Sequence, residues 1–394
     1  MTRQLHLVGF LKPAGEYPSG WRHRAAAARA GVDFGFVAEQ ARRLEAAAFD
    51  AVFVPDLVGV PDVDPEVLAR VAVVNDSFEP LTLLAALSAV TERIGLIATA
   101  SVSFGSAEEL GRDIAALHRL SAGRAGWNVV TSLSDAEARN FGRSAHLPHA
   151  ERYVRAADVV RRASERWGRD RPVLAQAGSS DAGRDLAARV ADIVFVRALP
   201  VAETREFVAD IRARATAHGR DGSRVRVLPE LSTVVAPTRD EARASFARMR
   251  ELLDPRVALA DLEYWTGSDL SALPMSSPLP PLRAATGSRG AQLEIYRQAA
   301  RDGLTIGDLV RLVAEGDGAV VGSPADVADH IEQYANEADV DGFTVSFPWL
   351  PGTLTAFTEL VVPELRRRGA FRTHYEGETI REHLGLSESS CQRP

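Results

Sequence analysis

Polar side chains stand at the ends of several short apolar stretches, where a ligand site could be built. Asn128 ends the stretch GWN within GWNVVTS, and Thr131 and Ser132 follow it closely. The other hydrogen-bonding side chains in this position are Asp56, Thr99, Ser101, Ser179 and Ser180. Almost none carries a permanent charge, which suits a heteroaromatic ligand with amide-like edges better than a hydrolytic metal or a nucleophilic triad. An ordinary polar end to a strand is the alternative.

The stretch QAGSSDAGRDLAARVA contains a second candidate site. It places a glycine and two serines, Ser179 and Ser180, between an apolar stretch and a predicted helix. Main-chain amides and hydroxyls at a helix N-terminus bind anions, most often phosphate. The alternative is that Ser179 or Ser180 only caps the helix.

Two pairs of aromatic or imidazole rings complete the candidate site. His149 and Tyr153 are four residues apart in HAERY, so both lie on one helix face. They could both reach a ligand, although a partly exposed amphipathic face would show the same spacing. Tyr17 and Trp21 follow the first apolar stretch and could wall a substrate pocket; loop packing is the alternative.

Motifs of other enzyme classes are weak or missing. His146 and His149 have a ligand-like spacing, but no Cys, Asp or third His follows at a zinc-type interval, so no metal site is predicted. The glycine-rich stretch GDGAVVG lacks the Lys and Ser or Thr of a phosphate loop. GxSxG and HExxH are both absent, so the hydrolase templates do not apply.

These residues need parallel strands to bring them together. Apolar stretches alternate with helical ones, and strands are predicted at 5–11, 51–56, 94–100, 126–131, 172–178, 192–198, 224–235 and 341–348. Strands this uniformly apolar are typical of a parallel sheet covered on both faces. Eight strand–helix units predict one TIM-like (β/α)₈ barrel over residues 1–394, with the seventh helix in RDEARASFARMRELL. Residues 255–322 are rich in Pro, Ser and Leu and are predicted to form an insertion between units seven and eight, folding over the barrel mouth.

The composition excludes several classes of protein. The formal net charge of −7 provides no basic surface for nucleic acid. With one cysteine among 394 residues, an internal disulfide is excluded. The N-terminal stretch is too short and is followed by Lys and Pro, so we predict no signal peptide; no apolar run is long enough for a membrane span. A cytoplasmic protein is expected.

The chain resembles the bacterial luciferase-like, two-component flavin monooxygenases, in the branch of nitrilotriacetate, dibenzothiophene-sulfone and pristinamycin monooxygenases. The resemblance covers nearly the whole chain. The stretches that carry it, in chain order, include FDAVFVPD, LSAGRAGWNVVTS, EARNFGR, HAERYVRAAD, RPVLAQAGSSDAGRDLAA and FRTHYEGETIREHLGL. The run GRAGWNVVTS followed by NFGR and ERY is highly specific.

The resemblance implies an FMN-dependent monooxygenase that uses FMNH₂ supplied by a separate NAD(P)H:flavin reductase. Dioxygen is the co-substrate, and a flavin C4a-peroxide oxygenates a small organic substrate. Cofactor contacts are implied for Asp56, Thr99, Asn128, His149, Tyr153, Ser179 and Ser180. Asn128 and His149 are the implied catalytic residues, with His149 able to steer a proton. Relatives pair through barrel helices, so a homodimer or homotetramer is expected.

Three departures from the family concern the substrate side. The connection RWGRDRPV is shorter than in relatives, FGSAEELGRD replaces an aromatic–proline run, and Tyr17 stands where relatives often have His. The substrate therefore cannot be transferred from a relative; Tyr17, Trp21 and Arg197 are the candidate pocket residues. An F420-dependent reductase or dehydrogenase on the same barrel is the alternative function, although such proteins generally lack GWNVVTS and NFGR. A non-catalytic flavin-binding homologue is the third possibility.

Overall fold

The computed structural model describes residues 4–12, 14–27, 30–60, 65–70, 77–132, 134–168, 171–266, 268–281, 296–315 and 318–386. Nine strands lie in this part of the chain: β1 His6–Phe10, β2 Ala51–Val54, β3 Gly95–Ser101, β4 Ala125–Val130, β5 Val173–Gln176, β6 Ile193–Val196, β7 Arg226–Val235, β8 Val320–Gly322 and β9 Gly342–Ser346. Strands β1 to β7 pair in chain order, and β9 joins β7 to β1. All pairs are parallel, so the predicted eight-stranded barrel is confirmed.

The inside of the barrel is apolar because alternate strand residues point inward. Phe53, Ile97 and Leu228 belong to one buried cluster that fills the barrel axis. Ile380 and Leu384, from the C-terminal stretch, belong to the same cluster and close the amino end of the barrel. Among the described residues, the open end of the barrel is therefore the one at the carboxyl ends of the strands.

Helices surround the barrel. Those that lead up to and follow the first six strands are α1 Phe34–Ala46, α2 Pro65–Leu68, α3 Pro80–Ser88, α4 Ala107–Leu120, α5 Asp135–Asn140, α6 His149–Ser164, α7 Asp181–Val190 and α8 Val201–Ala217. The rest are α9 Arg239–Arg250, α10 Pro255–Thr266, α11 at 296–301, α12 Ile306–Glu315, α13 Pro324–Ala338, α14 Gly352–Ala356, α15 Val362–Arg367 and α16 Ile380–His383. A π-helical turn, Phe357–Val361, joins α14 to α15. No helix of the described residues is long and apolar enough to cross a membrane.

The seventh helix of the ring differs from the sequence-based prediction. The predicted helix, α9, packs against β8 and β7, and its buried Met249 belongs to a cluster outside the barrel. The helix that packs between α8 and α15 is α13, whose Val327 and Ile331 belong to the main core. Strand β8 pairs with the last three residues of β7, so β7 extends beyond the barrel wall. The chain rejoins the barrel only after β8, through α13 and β9.

Residues 239–322, here called the outer segment, have an apolar cluster of their own in their described parts. Met249, Leu262 and Leu309 contribute to it from α9, α10 and α12. Tyr17 and Trp349, from the loops after β1 and β9, belong to the same cluster. The outer segment is thus joined to the barrel by side chains of its mouth.

Three buried aspartates stand immediately before strands at the amino end of the barrel: Asp50, Asp192 and Asp341. Each accepts a backbone N–H from the neighbouring strand, at 2.8 Å from Leu7, 3.0 Å from Leu174 and 3.0 Å from Val227. Each carboxylate also pairs with at least one arginine, as in the two 2.7 Å contacts between Arg171 and Asp192. These contacts fix the register of three strand pairs far from the barrel mouth.

Candidate active site

A cavity of about 290 Å³ opens at the carboxyl ends of the barrel strands. It is here called the inner cavity, and its lining includes Phe10, Phe53, Asp56, Thr99, Asn128, Ala177, Phe195, Arg197 and Glu230. The rings of Phe53 and Phe195 stack with centroids 4.6 Å apart and planes inclined by 10°. These inward-pointing phenyl rings provide an apolar surface against which a planar ring system can pack.

Asn128 and Thr99 lie side by side in this cavity because they are register partners on β4 and β3. The Asn128 side-chain amide donates to Thr99 Oγ1 at 3.1 Å, which leaves the Thr99 hydroxyl hydrogen available to a ligand. Asn128 Oδ1 is buried, and no described residue forms a hydrogen bond with it. An unpaired buried acceptor costs about 1–3 kcal/mol, so this atom points to a ligand that donates a hydrogen bond.

Trp127, the strand neighbour of Asn128, points away from the cavity. It is fully buried, its indole nitrogen donates to the Ala100 carbonyl at 3.0 Å, and its ring packs against Trp167. The alternation of the strand therefore assigns Trp127 to packing and Asn128 to the cavity. Thr131 and Ser132 are structural: the Thr131 carbonyl accepts from Ser103, and the Ser132 hydroxyl bonds to Ser101.

Asp56 lies in the same cavity, just beyond β2. Burial raises the pKa of its carboxyl group to about 6, and the nearby carboxylates of Glu79 and Glu137 act in the same direction. The Leu57 N–H, which donates to Asp56 Oδ1 at 2.9 Å, partly opposes the shift. A carboxyl group that changes protonation near pH 6 can bond either to a donor or to an acceptor on a ligand.

The two serines in the turn between β5 and α7 make different contacts. Ser180 is the N-cap of α7 and accepts the Gly183 N–H at 3.1 Å. The Ser179 hydroxyl is buried, and it has no hydrogen-bond partner in the part of the chain that the structure describes. A β-carbon on Gly183 would lie only 3.2 Å from Tyr153 Oη, so that hydroxyl stands over the first turn of α7. Ser179, Tyr153 and the helix N-terminus together suit an anion.

His149 packs against Tyr153, beside the turn between β5 and α7. Their ring centroids are 5.0 Å apart with planes inclined by 60°. Burial lowers the pKa of His149, and the charge of Arg152 lowers it further. His149 is therefore neutral near pH 7, with one ring nitrogen that can donate and one that can accept. It does not belong to the lining of the inner cavity.

A second cavity, of about 370 Å³, adjoins the first and is here called the outer cavity. Its lining comes from the barrel mouth and from the outer segment, and includes Glu16, Tyr17, Arg197, Glu230, Phe246, Met249, Asp261 and Tyr296. Tyr17 and Arg197 were predicted as pocket residues and lie in this wall. Trp21 lines neither cavity; its indole nitrogen is buried without a partner in the short helix Gly20–Arg22.

Sequence reasoning missed three acidic residues of the outer cavity: Glu16, Glu230 and Asp261. Glu230 could have been noticed in the strand RVLPELSTVV, because a carboxylate is rarely buried among apolar residues. Its presence in the middle of this strand indicates that a cavity lies beside it. Glu16 and Asp261 had no such signal. In the described residues no group of three or more His, Cys, Asp or Glu could hold a metal ion.

The comparisons with known proteins decide the family. Residues 18–340 match the family model of luciferase-like monooxygenases. The chain belongs to the luciferase-like monooxygenase family. A pristinamycin IIA synthase component of Streptomyces pristinaespiralis is 39% identical over 411 residues, covering 98% of this chain and 96% of the relative. Nitrilotriacetate monooxygenase component A of Aminobacter aminovorans is 34% identical over 449 residues, covering 100% and 99%.

Both relatives are in the predicted branch, so the resemblance is confirmed. Among solved structures, riboflavin lyase with modified FMN and riboflavin superposes with a TM-score of 0.84 and 29% identity, covering 98% of this chain and 96% of that one. The alignment with the nitrilotriacetate enzyme spans more positions than this chain has residues, so that relative has additional segments. The shortened connection before Pro172 stays a prediction.

Proposed function

We propose that this flavin-dependent monooxygenase binds reduced FMN in the inner cavity and oxygenates a small organic substrate, with FMNH₂ supplied by a separate NAD(P)H:flavin reductase. The observation that carries the proposal is the buried, unpartnered Oδ1 of Asn128 beside the stacked rings of Phe53 and Phe195. An amide-edged aromatic ring satisfies both the acceptor and the apolar surface. The relatives and the FMN-containing structural neighbour support the choice of flavin.

The residues present fit each part of this cofactor. Asn128 and Thr99 would meet the polar edge of the ring system, and Asp56 would lie near the same edge. Ser179 and Tyr153 would hold the phosphate at the N-terminus of α7, while Ser180 preserves that N-terminus as its cap. Bound reduced flavin would supply the electrons that activate dioxygen.

The protein itself would position the cofactor and the substrate, exclude water and hold one proton. The outer segment, which contributes Phe246, Met249 and Asp261 to the wall of the outer cavity, would limit the access of water to the inner cavity. His149, neutral near pH 7, can accept a proton on one ring nitrogen while the other donates. We propose this proton-holding role for His149.

The test is an anaerobic titration of the protein with FMNH₂, followed by mixing with oxygenated buffer. The wild-type protein should bind reduced FMN and consume oxygen at a rate different from that of free FMNH₂. Replacing Asn128 by Leu keeps the approximate size but removes the acceptor, and should weaken binding roughly tenfold, about 1.4 kcal/mol. Gln333→Leu, an exposed amide on α13, is the matched control and should not change binding.

Three results would contradict the proposal. Oxygen consumption at the same rate as that of free FMNH₂ would refute the proposed monooxygenase activity. Hydride transfer with F420 but no binding of FMNH₂ would support the reductase alternative. Retention of flavin without product from any substrate would support a flavin-binding homologue. The likeness to an F420-dependent alcohol dehydrogenase, at 14% identity, shows the fold alone.

The partners and the location follow from the same proposal. We propose a homodimer or homotetramer in the cytoplasm, which receives flavin by diffusion from the reductase. Light scattering of the purified protein measures its mass directly. Activity that depends on an added flavin reductase would support the two-component arrangement, whereas tightly retained flavin reduced directly by NAD(P)H would contradict it.

A further inference from the structure

The inner and outer cavities meet at three charged side chains. Glu16, Arg197 and Glu230 line both cavities. If reduced FMN occupies the inner cavity, the outer cavity is the space left for the substrate. This placement of the substrate rests on the proposed function. A substrate that reaches towards the flavin would pass the side chain of Glu16.

Backbone contacts between two loops of the barrel mouth hold Glu16 in place. Its N–H donates to the Phe347 carbonyl at 2.8 Å, and the Tyr17 N–H donates to the Pro348 carbonyl at 3.2 Å. Gly15, the residue before Glu16, has a φ of +87°, and a β-carbon there would collide with the Pro348 carbonyl oxygen. Only glycine combines this conformation with this close approach. The backbone at Glu16 is therefore fixed by the loops after β1 and β9.

The carboxylate of Glu16 lacks a close partner. Its Oε2 atom is buried, and none of the described residues forms a hydrogen bond with it. The Lys12 ammonium group lies 3.6 Å from Oε2, close enough to balance the charge but beyond hydrogen-bond distance. The Glu16 side chain is 38% exposed and contributes to the walls of both cavities. An ionised carboxylate has about four acceptor sites, so Glu16 can accept a hydrogen bond from a ligand.

The charged side chains around this junction are balanced in number. Glu16 and Glu230 are negative, whereas Arg197 and Lys12 are positive. The junction therefore does not select a ligand by its net charge, and hydrogen bonding decides its preference. A carboxylate that accepts from a neutral O–H or N–H forms a charge-assisted bond, roughly twice as strong as a bond between two neutral groups.

We propose that Glu16 determines substrate specificity by accepting a hydrogen bond from an uncharged donor: the hydroxyl of an alcohol or the N–H of an amide. The rest of the substrate is apolar and packs on Phe246 and Met249 of α9 and on Val313 of α12, which line the outer cavity. A molecule of the same shape without the donor displaces water from the carboxylate and leaves it unpaired, so it binds more weakly.

The experiment compares 2-phenylethanol with its methyl ether, which has the same skeleton but no hydrogen-bond donor. Binding of each probe is measured by titration calorimetry, with the protein both free of flavin and loaded with reduced FMN under anaerobic conditions. The alcohol should bind at least tenfold more tightly than the ether in both states, because Glu16 lines both cavities. Burial of apolar area alone would favour the ether, so the order of affinities is decisive.

Variants assign the preference to the Glu16 carboxylate. Glu16→Met keeps the length of the side chain but removes both acceptor oxygens, and the preference should fall to twofold or less. Glu16→Gln keeps one acceptor oxygen without the charge and should give an intermediate preference, which a purely structural role of Glu16 would not produce. Glu251→Met makes the same change at an exposed position at the end of α9 and should leave the preference unchanged.

The outcomes distinguish this inference from the proposed function. Equal affinities for the two probes, tighter binding of the ether, binding of neither at millimolar concentration, or an unchanged preference in Glu16→Met would overturn the inference, even if FMNH₂ binds as proposed. A preference for the alcohol that depends on Glu16, in a protein that does not bind FMNH₂, would refute the flavin proposal and leave the specificity of Glu16 standing.

Discussion

Asp56 is expected to destabilise the empty protein at neutral pH, and Asp56→Asn should reveal this. Burial raises the pKa of the folded-state carboxyl group from 3.8 to about 6. A raised pKa means that the folded protein holds the proton more tightly than the unfolded chain. The corresponding stability is fully present below pH 3.8 and is lost as the pH rises through about 6.

The magnitude follows from the shift. About two pH units at 1.36 kcal/mol each make an ionised Asp56 cost at most about 3 kcal/mol above pH 7, because solvent screens the partly exposed carboxylate. An asparagine has the shape of the neutral acid and avoids this cost. Integrating the linkage relation, the variant should be more stable than the wild type by up to about 1.5 kcal/mol at pH 5 and up to about 3 kcal/mol at pH 8.

The assay is urea-induced unfolding of both proteins, without flavin, at pH 5, 6, 7 and 8. Asp113→Asn is the control, because Asp113 lies on the exposed face of α4 and its replacement should change stability by less than about 0.5 kcal/mol at every pH. The reasoning fails if Asp56→Asn is less stable than the wild type at pH 8, or if its advantage is the same at pH 5 and pH 8. If Asp56 also contacts FMNH₂, the stabilised variant should bind it more weakly.

Three further predictions concern the anion-binding turn, His149 and the amino end of the barrel. Ser179→Ala should raise the Kd for FMNH₂ roughly tenfold but leave the Kd for reduced riboflavin, which has no phosphate, unchanged. Equal effects on the two flavins would contradict the assignment of Ser179 to the phosphate. Ser180→Ala should lower the free energy of unfolding by about 1 kcal/mol, because α7 loses its N-cap. His149→Ala should keep flavin affinity but lower the ratio of product formed to oxygen consumed, and full coupling would exclude the proton role. Arg171→Ala should lower the free energy of unfolding by about 3–5 kcal/mol, because it leaves the buried carboxylate of Asp192 with one weaker arginine contact; urea titration measures the loss, and a change below 1 kcal/mol would show that this pair is not stabilising.

The barrel could be predicted because most of its strands, though not β7, are apolar runs too short for a buried helix. Once the strands are parallel, all their carboxyl ends lie on one side, which places Asp56, Thr99 and Asn128 together without further information. The resemblance added Tyr153 and His149, which local spacing alone left open. Asp56, Thr99 and Asn128 line the inner cavity, whereas His149 and Tyr153 are not part of its lining, and their contact with the cofactor stays a prediction.

The seventh unit could not be predicted because its strand is longer than the barrel wall. β7 has ten residues, and its last three pair with β8 outside the barrel. The pattern of apolar residues does not mark where a strand leaves the barrel, so α9 was taken for the covering helix in place of α13.

The serine pair shows a different limit. Ser179 and Ser180 are adjacent and chemically identical, so the sequence leaves open which one is the cap. The backbone decides: Ser180 adopts the extended conformation of an N-cap, with φ −72° and ψ 161°, and its hydroxyl turns back to Gly183. Ser179 then keeps its hydroxyl for another partner.

Tyr17 and Trp349 pack into the hydrophobic cluster of the outer segment although they belong to the loops that follow β1 and β9. An engineer who grafted the outer segment of a relative onto this barrel would therefore leave two aromatic rings without their partners. New substrate specificity by segment exchange would require both loops to be transplanted as well. Single substitutions in the wall of the outer cavity, by contrast, keep these aromatic contacts and are the simpler route to altered selectivity.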